Sequence, residues 1–393
     1  MNKRRVITIG WMFAATVTVA QQAPDSILQA IMQNNLKAQA IQKILEANTF
    51  DIKSQNNLAK PSVEYAYLWG DSKDNSKEEV AVVQSFAFPI TRHAQHMAGN
   101  AQISFAEAEA EVELSQIAFD ARMLLIKQAT ANHLLEQYNS RIAIQDTLKA
   151  LLEKRFAAGF DAAYELNKVA LEKTIQEVGK ANLLCTIAEQ ELNLAQMNGG
   201  KEVAYSDTTM PSIILPTNED DWVDMVQNSS RAIQLAGLGS EVAKKNLSLQ
   251  KAKGLPEFEI GYRRAVEDKV SFNGFQAGIS IPLWQNHGKV SAAKVRVAAA
   301  NLEQQEQTGK VLMQAMQLWK KKEQLEHSVS TLKVSLTQNN NTRILQSAFL
   351  AGNISLLDMM QEIAYLFDAQ NQLVVLEQTL MQVKAEMAKI VNQ

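Results

Sequence analysis

The stretch PSVEYAYLW, residues 61–69, interrupts a chain that otherwise reads as long helices. Val63, Tyr65, Tyr67 and Trp69 alternate with Ser62, Glu64 and Ala66, the period of two expected of a strand with one apolar face. A polar tip, Asp71 to Lys77, leads into a second strand, Val80 to Phe88, which ends at Pro89. PSVEYAY at 61–67 returns as PEFEIGY at 256–262, with Phe258, Ile260 and Tyr262 on one face. A second polar tip, Glu267-Asp268-Lys269, precedes a strand over 270–281 that ends at Pro282. Pro89 and Pro282 mark strand-to-helix transitions 193 residues apart, and the same offset relates RFAAG at 155–159 to AFLAG at 348–352. The order helix, strand, strand, long helix, helix therefore occurs twice.

Outside the strand pairs, breakers are scarce: 7 prolines and 16 glycines among 393 residues are too few for a protein of many short strands and turns. The pattern predicts helices over 24–57, about 91–155 and 161–198, then over 220–253, 287–350 and 353–391. The element over 91–155 would span about 95 Å at 1.5 Å per residue. That length points to a coiled coil or to a helix that bridges a distance. In the last helix Leu366, Leu373, Leu380 and Met387 recur every seven residues, with Ala369, Leu376, Val383 and Ile390 as a companion seam. A helical barrel and an internal bundle core both fit that stripe.

Residues 1–20 read as a signal peptide: Lys3, Arg4 and Arg5 precede an apolar stretch from Val6 to Val19, and Thr18-Val19-Ala20 offers small residues for cleavage. A membrane anchor is the alternative, but the stretch is short for a bilayer span. Removing three positive charges takes the formal charge from −3 to −6, so the balance gives no signal for nucleic acid. A single cysteine, Cys185, excludes a disulfide scaffold and a Cys-rich metal site. The strands are long enough to cross a bilayer when tilted, and Ser62, Glu64, Ser85, Glu257, Glu259 and Arg263 on their other faces suit a wet lumen. Four strands cannot close a barrel, and an open edge in lipid leaves backbone groups unpaired. Membrane strands would thus require several chains per barrel. Two soluble hairpins covered by a partner are the alternative.

With this layout the sequence resembles the TolC family of outer-membrane efflux channels. The resemblance covers nearly the whole mature chain. It rests on the duplication, on GISIPLW at 278–284, on the turns RFAAGFDAAYEL (155–166) and AFLAGNISLLDMM (348–360), and on AQNQLVVLEQTL at 369–380. It implies a mainly α fold with a small β part, in which duplicated units form a trimeric α-helical barrel topped by a shared 12-stranded transmembrane β-barrel. The expected units are a first repeat over 21–200 (strand pair 61–88, helical hairpin 91–198), a linker over 201–219, and a second repeat over 220–393 (strand pair 256–281, hairpin 287–391). The implied function is the passive exit duct of a tripartite efflux pump, a homotrimer in outer-membrane lipid with a long periplasmic extension. Its implied partners are a periplasmic adaptor protein and an inner-membrane transporter. The other reading is a periplasmic coiled-coil adaptor or structural protein without a barrel; an adaptor would carry one helical hairpin between β-rich domains. Two departures from the family stand out: Arg155 in the first turn has Ala348 as its counterpart, and Ile354 stands where some members carry a gating Arg.

Catalytic chemistry is sparse. No Ser-His-Asp spacing, P-loop or dinucleotide motif appears, so the reading is not an enzyme, with no cofactor and no metal. His93 and His96 have i,i+3 spacing but read as a surface pair, and Met359-Met360 as helix packing. Glu165 and Asp358, again 193 apart, each lie six residues past a turn glycine. In a trimer they would form carboxylate rings that attract cations. Together with Ile354, Leu357 and Phe349 they form the expected constriction. The expected adaptor-docking tips are Phe156, Ala158, Gly159 and Phe160 in the first turn, and Phe349, Ala351, Gly352 and Asn353 in the second.

Overall fold

The computed structural model describes residues 24–71, 76–159, 163–267, 270–284, 286–338 and 342–391; the leader and Phe160 lie outside them. The first repeat runs α1 (Pro24–Asn34), α2 (Leu36–Ser54), β1 (Ser62–Trp69), β2 (Ser76–Ala87), α3 (Pro89–Ala157) and α4 (Ala163–Met197). The second runs α5 (Glu219–Ser229), α6 (Arg231–Ala252), β3 (Glu257–Glu267), β4 (Val270–Ser280), α7 (Lys289–Gln338), α8 (Thr342–Leu350) and α9 (Leu356–Val391). The 69 residues of α3 reach about 100 Å.

Each repeat's opening helix is two helices rather than one. Asn35 sits at the first break: its carboxamide oxygen accepts from the Ala38 N–H at 2.9 Å, capping α2, and its Nδ2 donates to the Met197 carbonyl at 2.9 Å. Ser230 occupies the matching break between α5 and α6. The expected long helix over 287–350 is described as α7 and α8, on either side of residues 339–341, which lie outside the described residues. Pro89 takes the first-turn position of α3, where its missing N–H removes nothing from the helical ladder.

The four strands form one antiparallel sheet in the order β1-β2-β3-β4, so the two hairpins join through β2 and β3. Register places Val63 beside Val82, Val82 beside Tyr262 and Tyr262 beside Phe275, an apolar row across the whole sheet. Phe86, Phe258 and Ile279 form another apolar row, across β2, β3 and β4. The opposite face carries Glu64, Lys77, Glu79, Glu259, Arg263 and Glu267. There Lys77 pairs with Glu79 at 2.8 Å, and Arg263 with Glu79 at 3.5 Å.

Below the sheet the long helices lie side by side in the order α4, α3, α9, α7, and nearer to it in the order α2, α3, α6, α7. α9 is therefore flanked on two sides. Leu380, Val383 and Met387 of the expected heptad are buried, but so are Ile363, Phe367, Val374, Ala385 and Ala388 on other faces. Among the described residues no helix is long and apolar enough to cross a membrane.

Candidate duct and turn site

The sheet is chemically two-sided, and along β2 exposure separates the sides. The apolar face is open to solvent, with Trp69 at 80% and Phe275 at 92% exposure, alongside Val63, Tyr65, Ile260 and Ile279. On the charged face Ala81, Val83 and Ala265 are buried. Longer side chains on the same face surround them: Glu79 stands opposite Ala265, and Arg263 opposite Ala81. Gly261 shows the crowding: a Cβ there would lie 2.8 Å from the Val82 carbonyl oxygen. An apolar face backed by a charged one is the distribution of a membrane barrel wall, with lipid outside and water inside. The edges, β1 and β4, have no strand partner among the described residues.

At the other end of the long helices stand the two turns. Gly159 and Gly352 adopt φ of 88° and 76°, the left-handed region that a side chain resists. The second turn closes as a Schellman motif, with Gly352 N–H donating to the Phe349 carbonyl at 3.0 Å and Asn353 N–H to that of Ala348 at 2.9 Å. Phe156, Ala158, Gly159, Ala351, Gly352 and Asn353 are all exposed. Phe349 is not: it is 7% exposed, whereas its repeat equivalent Phe156 is 54% exposed. Phe349 packs with Leu148, Leu152, Val169, Leu356, Met359, Ile363 and Phe367, and Ile354 lies against the same cluster. This core holds the two hairpins of one chain together, and Met359 is wholly inside it. Of the apolar residues expected at the constriction, only Leu357 faces outward, at 47% exposure.

Asp358 is exposed, and it has a local duty that the sequence reading missed. Its Oδ2 accepts from the Ser355 N–H at 3.2 Å and from the Ser355 hydroxyl at 2.7 Å, while the Ser355 Oγ accepts from the Asp358 N–H at 3.2 Å. Ser355 and Asp358 thus close a reciprocal cap at the start of α9, and the S-x-x-D spacing in ISLLDMM carried that signal. Glu165 lies in the first turn of α4, half-buried. Nearby, Arg141 donates to Glu172 at 2.8 Å and lies 5.3 Å from the Phe367 ring centre, tying α3 to both of its neighbours.

A charged group that sequence reasoning did not single out lies higher on the second repeat. Lys322, 8% exposed, sits 3.9 Å from the ring centre of Trp319 and 3.3 Å from Glu326, and Lys384 reaches Glu326 at 2.8 Å. Burial raises the Glu326 carboxyl, but the hydrogen bond and charge of Lys384, with Lys322, outweigh it and hold the group below its ordinary value. Lys322, Glu326 and Lys384 with Ile213–Thr217 line an open cavity of about 470 Å³. His93 and His96 lie in the first turns of α3, where His96 Nδ1 is 3.2 Å from Asn100 Nδ2. Among the described residues no three His, Cys, Asp or Glu side chains come together as a metal site.

The sequence matches no family model and no curated protein. Solved structures match its fold over nearly their full length. Crystal structures of CusC, described in terms of folding and transmembrane channel formation, superpose with a TM-score of 0.76 at 12% identity, covering 95% of each chain. The outer membrane protein VceC of Vibrio cholerae gives 0.72 at 15% identity, over 94% of this chain and 95% of that one. The open state of the MtrE outer membrane channel of Neisseria gonorrhoeae gives 0.67 at 12% identity, over 94% and 88%. The chain carries the fold of these outer-membrane channels.

Proposed function

We propose that this chain is one subunit of a TolC-type outer-membrane channel, a homotrimeric duct that serves as the passive exit of a tripartite efflux pump. The observation that carries the reading is the two-faced sheet, with exposed lipid-compatible aromatics on one face, charges on the other and two edges unpaired among the described residues, set at one end of helices about 100 Å long. Unpaired edges cost several kcal/mol per backbone group in lipid, so β4 of one chain pairs with β1 of the next, and three four-stranded sheets close a barrel of twelve strands. Tyr65, Tyr67 and Trp69 then lie at one water–lipid boundary and Phe88 and Trp284 at the other. The helices continue the wall as a tube through the periplasm. A soluble protein gains nothing from leaving Val63, Trp69, Phe275 and Ile279 exposed on one face, which is why the adaptor reading is set aside.

The tips dock the periplasmic adaptor, which links the duct to the inner-membrane transporter. Gly159 and Gly352 have open space where a side chain would project, so another hairpin can approach their backbone closely. Just past the tips the tube narrows. Asp358 and Glu165 supply the carboxylates there, and Leu357 is the apolar side chain free to meet its copies across the axis. Phe349 and Ile354 support the constriction from behind, through the core between the hairpins. Rings of like charge favour cations at such a narrowing and keep the closed state easy to release.

The test is twofold. Detergent-extracted outer membranes should yield a trimer whose conductance in a planar bilayer favours cations. The Asp358→Asn, Glu165→Gln double variant should lower that preference. A chain found only in the soluble periplasmic fraction would sink the duct reading, while an unchanged reversal potential in the double variant would remove these carboxylates from the constriction and leave the duct standing.

A further inference from the structure

The aromatic face of the sheet carries a cation without a partner. Alternation along β3 sends Phe258, Ile260, Tyr262 and Arg264 to that face, and Glu259, Arg263 and Glu267 to the charged one. Two adjacent arginines therefore have opposite surroundings. Arg263 pairs with Glu79 at 3.5 Å. Arg264 is exposed, and among the described residues it makes no ion pair or hydrogen bond. Glu78, the other charge on its face, stands opposite Val266, nearer the hairpin tips.

Register places Arg264 in the row Tyr65, Val80, Arg264, Asn273. Toward the helices lie the apolar rows through Tyr262, with Val82 and Phe275, and through Phe258, with Phe86 and Ile279. The six residues from Phe258 to Arg264 cover about 20 Å of strand. The apolar band of a membrane barrel is about 25 Å tall. Arg264 thus stands at the outward edge of the band, with Tyr67 and Trp69 of β1 beyond it. A lone guanidinium is costly at the middle of a bilayer; at the edge its long side chain reaches the depth of the headgroups.

The neighbours suit an anion at that depth. Asn273 is directly opposite Arg264. The Asn273 Oδ1 accepts from the Tyr262 hydroxyl at 3.1 Å, which leaves its Nδ2 to donate. A planar guanidinium fork beside an amide donor matches the oxygens of a phosphate better than a point charge would. On the apolar side, Val80 and Tyr262 are exposed and offer a surface for acyl chains.

We propose that Arg264, with Asn273, holds the phosphate of a lipid in the outward-facing leaflet. The proposal rests on the duct reading for which face of the sheet meets lipid. The choice of residue comes from the register and from the missing ion pair.

The probe is dioleoylphosphatidylglycerol, added to the detergent-purified oligomer and counted by native mass spectrometry. It should bind in preference to dioleoylglycerol, which has the same tails and no phosphate. Arg264→Gln should weaken that binding about tenfold, the worth of one charge-assisted phosphate contact. Arg263→Gln, on the other face, should leave it unchanged. Undiminished binding to Arg264→Gln, equal loss in Arg263→Gln, or equal retention of dioleoylglycerol overturns the proposal and leaves the duct. Displacement of the lipid by inorganic phosphate at the same concentration would assign the guanidinium to a free anion, which also overturns it. A chain that never enters membranes overturns the duct reading and, with it, this one.

Discussion

In the first repeat Ile27 and Ile31 of α1 pack on Ala121, Leu125 and Ala129 of α3. In the second, Trp222 and Val226 of α5 pack on Val311, Ala315, Leu318 and Trp319 of α7. The positions correspond: Ile27 to Trp222, Ile31 to Val226, Leu125 to Leu318, and Leu194 to Met387. The first repeat fills the layer with aliphatic side chains and with the returning segment, as Val203, Tyr205 and Met210 lie over it and Asn132 donates to the carbonyls of Tyr205 and Asp207. The second fills it with two indoles, and Trp222 Nε1 donates to the Ala315 carbonyl at 3.0 Å. At the rim, where the first repeat has Ala129 and His133, the second has Lys322 and Glu326, and the segment at 213–217 leaves the cavity open. One backbone plan therefore tolerates two core chemistries, provided that volume is conserved and each buried donor finds an acceptor.

The contrast breaks most readily at the indole. Trp222→Ala removes the largest fully buried side chain and should cost about 3–5 kcal/mol, whereas Ile27→Val should cost about 0.5–1.5 kcal/mol. Thermal unfolding of the oligomer measures both, and equal shifts would mean that the second layer relaxes around the cavity.

Glu326→Gln comes next. It takes the shared carboxylate from Lys322 and Lys384, and the loss should be about 1 kcal/mol, discounted because Glu326 is partly exposed. Because its folded-state pKa lies below the ordinary carboxylate value, its contribution is present above that ordinary value and fades as pH falls through the lower folded value. The variant should flatten the acid limb of the stability profile, and an unchanged limb would assign that limb to other carboxylates.

The cap at α9 has a similar size and a cleaner separation. Ser355→Ala should cost about 1 kcal/mol, since it removes the acceptor of the Asp358 N–H. Asp358→Asn retains an acceptor and should cost less, while altering ion selectivity. Asp358→Asn as damaging to stability as Ser355→Ala would mean that the carboxylate is chiefly structural. The smallest effect is expected at Lys43, whose pair with Glu46 is exposed on both sides. Lys43→Gln should leave the unfolding midpoint where it was.

Much of this molecule is dictated by its residues alone. A period of two can only be satisfied by strands, so both hairpins and their two-faced chemistry were legible from 61–69 and 256–262. Gly159 and Gly352 marked the turns, and the paired landmarks announced the duplication. The Ser355–Asp358 cap was written in its spacing. Tertiary structure decided which faces meet. A heptad reports that a helix buries a stripe, not how many neighbours it has, so Leu366, Leu373, Leu380 and Met387 gave no notice that α9 lies between α3 and α7. For the same reason Phe156 and Phe349, identical in type and repeat position, came apart. Phe349 belongs to the hairpin whose turn packs against its neighbour inside the chain, whereas Phe156 has no such cover among the described residues. Side-chain chemistry sets what can be buried, and the lateral order of the helices sets what is.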